Sequence, residues 1–345
     1  MKQCLIILLV FASVSWSTTL VYNVDTDVVG GNADGDGWAN AYSSLEAAEQ
    51  ARTADIDTAN NIVQFLCRAS SGTVDTTACS FSGWTTSVTD YVEVIGYDGT
   101  YIHNNPDTGY VYVQTEDIRF TNITFRTTVA GTSTIACVYI SSVSTGTIFF
   151  DSCTFECTGS GTGSCHGISV NDADITVTAY NCTFAGFESV EDTSFSGVYS
   201  QNCDTFNLYN STIYDCYAGL YRSLGTINII NTAFFGNTGD ITGTVTITYS
   251  ATEDGDAGTG NVTITQTADD YAALVTDAAG GDFSLTNASS QLYNTGDGTN
   301  VKSIFTVDIV DVTRGPADAD WDIGAYEYNS PSTVAVIQNN YRRRR

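Results

Sequence analysis

Apolar and polar residues alternate along most of this chain, and one eight-residue version of the alternation recurs five times between Ile118 and Phe234. The copies are Ile118-Arg-Phe120-Thr-Asn122-Ile123-Thr-Phe125, Ile148-Phe-Phe150-Asp-Ser152-Cys153-Thr-Phe155, Val177-Thr-Ala179-Tyr-Asn181-Cys182-Thr-Phe184, Phe206-Asn-Leu208-Tyr-Asn210-Ser211-Thr-Ile213 and Ile227-Asn-Ile229-Ile-Asn231-Thr232-Ala-Phe234. Their closing residues, 125, 155, 184, 213 and 234, stand 30, 29, 29 and 21 positions apart. A self-similar period of roughly 20 to 50 residues predicts a solenoid. Within each copy the period of two predicts two short strands, each buried on one face. Between them sits Asn122, Ser152, Asn181, Asn210 or Asn231. Asn is the non-glycine residue that best tolerates a left-handed backbone at a sharp corner. A third strand is predicted upstream in each coil, at 137–140, 167–170, 197–200 and 219–221. Three parallel strands per turn make a β-helix, with its regular coils over 118–240.

Outside the repeat the same alternation predicts strands at 21–24, 62–65, 91–95, 110–113, 244–248 and 261–265, with early coils less regular than later ones. The best helix in the chain runs from Glu46 to Arg52, behind Ser43-Ser44 as an N-cap. A helix there plugs the first coil, which would otherwise expose its apolar interior and unpaired strand edges. Residues 18–60 are thus a cap and 18–328 a single domain.

The strand, corner and closing phenylalanine of each coil resemble the right-handed parallel β-helix proteins of the pectate-lyase-like superfamily. Two end phrases extend the resemblance over nearly all of 21–328. Trp38-Ala-Asn-Ala-Tyr42 is similar to the opening of many secreted members. Asp322-Ile-Gly-Ala-Tyr-Glu327 is similar to their closing segment, here 281–328. The resemblance implies an asparagine ladder at the corner. It also implies a binding face built by the loops 126–136, 156–166, 185–196 and 214–218.

Composition narrows the function. Twelve Lys and Arg against 39 Asp and Glu give a net charge of −27, which repels nucleic acid and anionic membranes. Four of the twelve bases close the polar tail 329–345, at Arg342 to Arg345. Residues 1–17 read as a secretory signal: Lys2, an apolar run from Leu5 to Ala12, then the small-residue site Ser15-Trp-Ser17. That run is too short to span a bilayer. A secreted, extracellular protein in an oxidising compartment is expected. Of its cysteines, Cys67 with Cys79 and Cys157 with Cys165 bracket loops and are the expected disulfides. Cys153 and Cys182, at one position on neighbouring coils, form either a third bridge or a pair of buried thiols.

Candidate chemistry is sparse. His166, in Cys165-His-Gly-Ile-Ser169, superficially resembles the Gly-His-Gly phrase of polygalacturonases. The acidic phrases that should precede it and the Arg-x-Lys that should follow are absent, leaving no acid/base pair for glycoside hydrolysis. For elimination, Arg222 follows a first strand, with Asp215, Glu188, Glu191 and Asp192 in nearby loops. Calcium-ligand candidates are Asp34 with Asp36 and Asp254 with Asp256, each pair in an Asp-Gly-Asp loop. Turn chemistry accounts for the same phrase. Sequons occur at Asn122, Asn181, Asn210, Asn261 and Asn287, three of them on the Asn corner. The first strands carry Tyr139, Tyr199 and Tyr221 on their outward face, beside Tyr112 farther up the chain, as platforms for stacking sugars. The expected function is a structural, adhesive or glycan-binding module whose partner is an extracellular polysaccharide or protein, with self-association open and no assigned catalytic residue. The alternative is a polysaccharide lyase or glycoside hydrolase.

Overall fold

A computed structural model describes residues 18–53, 61–99, 101–106, 110–129, 134–143, 145–159, 163–187, 195–265, 268–314 and 320–328. The expected signal 1–17 and tail 329–345 lie outside them. So do 130–133, 160–162 and 188–194 of the loops assigned to a binding face, with Glu188, Glu191 and Asp192.

The chain winds as a parallel β-helix of three-strand coils. First and second strands form one 14-stranded sheet, and third strands form an eight-stranded sheet. In the coil Ile135–Ser141, Gly146–Asp151, Thr154–Gly159 the three are separate. In Cys165–Tyr180 and Ser196–Tyr209 the first two run together, with register shifts at the bend. All strand pairs within the coils are parallel.

Register puts the repeat where the alternation predicts. His103, Phe125, Phe155, Phe184, Ile213 and Phe234 are successive neighbours on the third strands, and all are buried. Strands pair at ~4.8 Å, so identical rings at one position stack on each other. Phe125 and Phe155 lie 5.3 Å apart, and Phe155 and Phe184 lie 4.6 Å apart and nearly coplanar at 5°. Gly167 makes room for this column: a Cβ there would sit 2.8 Å from the Phe184 ring. At the corner, Asn122, Ser152, Asn181, Asn210 and Asn231 all have positive φ, between 41° and 55°. Asn231 donates to the Asn210 side-chain carbonyl at 3.2 Å.

Leu45–Arg52 is the capping helix, and Ser44 Oγ accepts from the Ala47 amide at 3.2 Å. Its carboxylates also treat the sheet edge. Glu46 accepts from the Ser80 amide at 2.9 Å, and Glu49 from Ser82 at 3.3 Å and from the Trp84 indole at 2.9 Å. The otherwise unpaired donors of the Cys79–Phe81 edge are thereby occupied.

The C-terminal segment departs from expectation. Instead of only closing the last coil, residues 268–314 and 320–328 fold back along the outside of the stack. Tyr271, Leu274, Phe283, Leu285 and Ile323 cover the outward third-strand residues Ala185, Tyr214 and Phe235. The physical reason is that these outward positions are apolar and Phe235 is fully buried. The same segment straps the Asn corner. Asn181 donates to the Val307 carbonyl at 2.9 Å, Asn231 exchanges two hydrogen bonds with the Asp297 backbone, and the Gly324 amide donates to the Asn231 carbonyl. Arg314, only 3% exposed, ties this together. Its guanidinium meets Glu327 at 3.0 Å, Asn181 Oδ1 at 3.1 Å and the carbonyls of Gly324 and Ala325.

Candidate functional site

The first-strand face carries an ordered row of rings. In register, Tyr112 faces Tyr139, Tyr139 faces Ser169, Ser169 faces Tyr199, and Tyr199 faces Tyr221. Tyr112 and Tyr139 stack at 5.5 Å and 20°, and Tyr199 and Tyr221 at 5.2 Å and 21°. Ser169 supplies no ring, and His166 stacks on Tyr199 at 4.4 Å and 13°. All four tyrosines are partly exposed.

This geometry changes what the tyrosines offer. Rings stacked along the solenoid axis turn their faces to one another, so their edges and hydroxyls, rather than their faces, meet solvent. Burial raises the Tyr199 hydroxyl above its ordinary pKa, with Tyr221 adding to the shift. It is therefore a neutral phenol that both donates and accepts. Tyr112 uses its hydroxyl on Ser141 Oγ at 2.8 Å.

The catalytic candidates do not converge. Arg222 gives both Nε, at 2.8 Å, and an Nη to the Gly225 carbonyl of its own turn. Among the described residues it forms no ion pair. Asp215 sits at a corner with φ 55°. His166, 3% exposed, shares a hydrogen bond with Ser196 Oγ at 2.9 Å and belongs to the ring row. Arg126, on the third strand Thr124–Val129, is paired with Glu156 at 2.7 Å.

In each Asp-Gly-Asp loop the first carboxylate accepts from a backbone amide, while Asp256 Oδ2 is buried without a hydrogen-bond partner. Asp34 accepts from the Asp36 amide at 2.9 Å, and the Arg52 guanidinium, itself a cation, donates to the Asp34 carbonyl. Asp254 accepts from the Asp240 amide at 2.9 Å, and the Asp256 amide donates to Thr252. Asp240, which the sequence reading passed over, is the buried carboxyl of this group, raised to about 6 by burial. Among the described residues no three His, Cys, Asp or Glu side chains are grouped to hold an ion.

All nine described cysteines are free thiols. Cys67 and Cys79, expected as a bridge, occupy separate interior positions on Asn61–Arg68 and Cys79–Phe81, with burial raising both thiols. Cys157 and Cys165, the other expected bridge, stand unbridged in mutual contact, as do Cys153 and Cys182. The corner sequons at Asn181 and Asn210 are fully buried, so a glycan could not be attached there without opening the corner.

A buried polar cluster also went unread. Asp75 accepts from the Leu45 amide at 2.9 Å, the Tyr101 hydroxyl at 2.7 Å and the Thr77 amide at 3.0 Å, and lies 3.8 Å from His103. Burial opposes its charge, but His103 and these donors win and hold its carboxyl down at about 2. The cluster joins the capping helix to the first coils, with Asp75, Tyr101 and His103 buried. Its members are scattered over 58 positions, from Leu45 to His103, without a spacing motif. No helix among the described residues is long and apolar enough to cross a membrane. Comparison with family models, curated proteins and solved structures found no match to this chain.

Proposed function

We propose that this chain is an extracellular β-helix module, of the pectate-lyase-like kind, that binds a neutral glycan along its first-strand face. The observation that carries the reading is the ring row: its hydroxylated edges repeat at coil spacing and stay partly exposed, while the apolar third-strand face is covered by the chain itself. A row of groups that each donate and accept matches the hydroxyls of a sugar chain. The strongly acidic surface repels anionic polymers and favours a neutral one. With Arg222 committed to Gly225 and His166 to the row, the described residues of this face offer no paired acid and base for hydrolysis or elimination.

The test is affinity electrophoresis against neutral and acidic polysaccharides, with product assays for new reducing ends and unsaturated sugars. Retention by a neutral glycan, lost in a Tyr139→Ala, Tyr199→Ala, Tyr221→Ala triple variant of unchanged fold, is the expected result. Turnover of any acidic polymer that Arg222→Ala abolishes would reinstate the lyase.

A further inference from the structure

Five of the six arginines whose side chains are described donate to protein oxygens: Arg52, Arg68, Arg126, Arg222 and Arg314. Arg119 is the exception. Its guanidinium lies 3.9 Å over the Tyr91 ring and 5.3 Å from that of Phe149, and among the described residues it makes no hydrogen bond or ion pair. Glu93, its register neighbour, is engaged with the Gln64 amide at 2.7 Å. Arg119 therefore stands held flat by aromatic contacts, with its planar fork of donors unspent.

Arg119 lines a cleft of about 160 Å³ together with Val88, Tyr91, Asp117, Thr147 and Phe149. That is below the roughly 300 Å³ at which drug-sized pockets begin, so it suits one sugar ring. Its polar groups are complementary to a diol. Arg119 only donates, the Asp117 carboxylate only accepts, and the Thr147 hydroxyl does both. One cation beside one carboxylate leaves no net charge to select a charged ligand. Asp117 is fixed by accepting from the Thr147 amide at 3.2 Å, and Tyr91, Phe149 and Val88 supply apolar walls for the C–H face of a ring.

The geometry points to this cleft as a subsite that takes a single neutral hexose unit of the glycan, a deeper statement of the binding reading above and one that rests on it. Its strands, Ile118–Thr121 and Gly146–Asp151, continue from those bearing Tyr112 and Tyr139. Arg119 is seven residues from Tyr112, at most roughly 25 Å even for extended chain. One oligosaccharide can therefore span row and cleft.

The experiment is NMR titration of the full chain with methyl glycosides of glucose, galactose and mannose, and with glucuronate and glucosamine, following the Arg119 Nε–H signal. The expected result is a saturable shift with at least one neutral glycoside and weaker responses to both charged sugars. Arg119→Ala should weaken oligosaccharide binding about tenfold, the loss of charge-assisted hydrogen bonds, and Arg119→Lys should not restore it. Because Arg119 is on the outer face, both variants should keep the parent melting temperature. Glycan retention by the ring row with a silent Arg119 signal and unaffected Arg119 variants overturns the subsite and spares the binding reading. Absence of binding to every neutral glycan overturns both, and a preference for glucuronate overturns the neutral assignment.

Discussion

Tyr214 and Phe235 on the third strands and Tyr199 and Tyr221 on the first strands occupy equivalent outward positions, one step from the buried interior. The third-strand pair meets Tyr271 and Phe283 edge-on or tilted, under a cover made by the C-terminal segment. The first-strand pair stacks face to face, with His166 stacked on Tyr199 as well. The chain has thus made two solutions from one pattern: outward rings hidden by folding back, and outward rings shielded by each other. The second leaves Tyr199 and Tyr221 partly exposed without any cover from the C-terminal segment.

Arg314→Ala should do most to break that contrast. It leaves Glu327 and several carbonyls buried without their cation, which costs about 3–5 kcal/mol. Hydrogen exchange should then rise at the Asn corner and third strands, with the ring row unaffected. Equal loosening of both faces would show that the cover is not a separate device. Phe184→Ala should cost a similar amount, about 3–5 kcal/mol, because it opens the ring column inside both faces. A parent-like melting curve would mean that this column is not the core.

A smaller effect is expected at the N-terminal cap, a third covered surface. The Asp75 carboxyl is held at about 2, below its ordinary 3.8. A depressed acid stabilises the fold above the unfolded pKa and loses that contribution as pH falls through the folded one. Asp75→Asn should therefore be less stable than the parent by about 2 kcal/mol above pH 4, with the gap closing toward pH 2. Urea unfolding across that range checks it, and a pH-independent gap would assign the loss to packing alone. The smallest effect belongs to the open face. Tyr199→Ala should cost no more than about 1.5 kcal/mol, the scale of a stacked pair, while reducing glycan retention.

The coils were legible because their information is local. Period-two alternation, a corner Asn and a closing Phe all fall within eight residues, and the register matches them copy by copy. The helix was legible for the same reason, from Ser44 to Arg52. The cover was not. Arg314 reaches Asn181 across 133 residues, and nothing within a short window tells an outward Tyr214 from an outward Tyr199. The sequence offers the tyrosines as separate platforms and not as a stack, since ring orientation follows from coil spacing rather than from residue type. The thiols show the same limit: sequence places Cys153 and Cys182 on neighbouring coils, yet contact between them is a three-dimensional fact.

The strap at the Asn corner bears on how the molecule comes apart. In a solenoid each coil senses only its two neighbours, so unfolding can begin at an end and travel one coil at a time. Here a single C-terminal segment holds Asn181, Thr212 and Asn231, on three successive coils. Those coils cannot leave in sequence while it is docked. The stack is expected to behave as two cooperative blocks, a C-terminal one that is lost all at once and an N-terminal one that frays from beneath its helix.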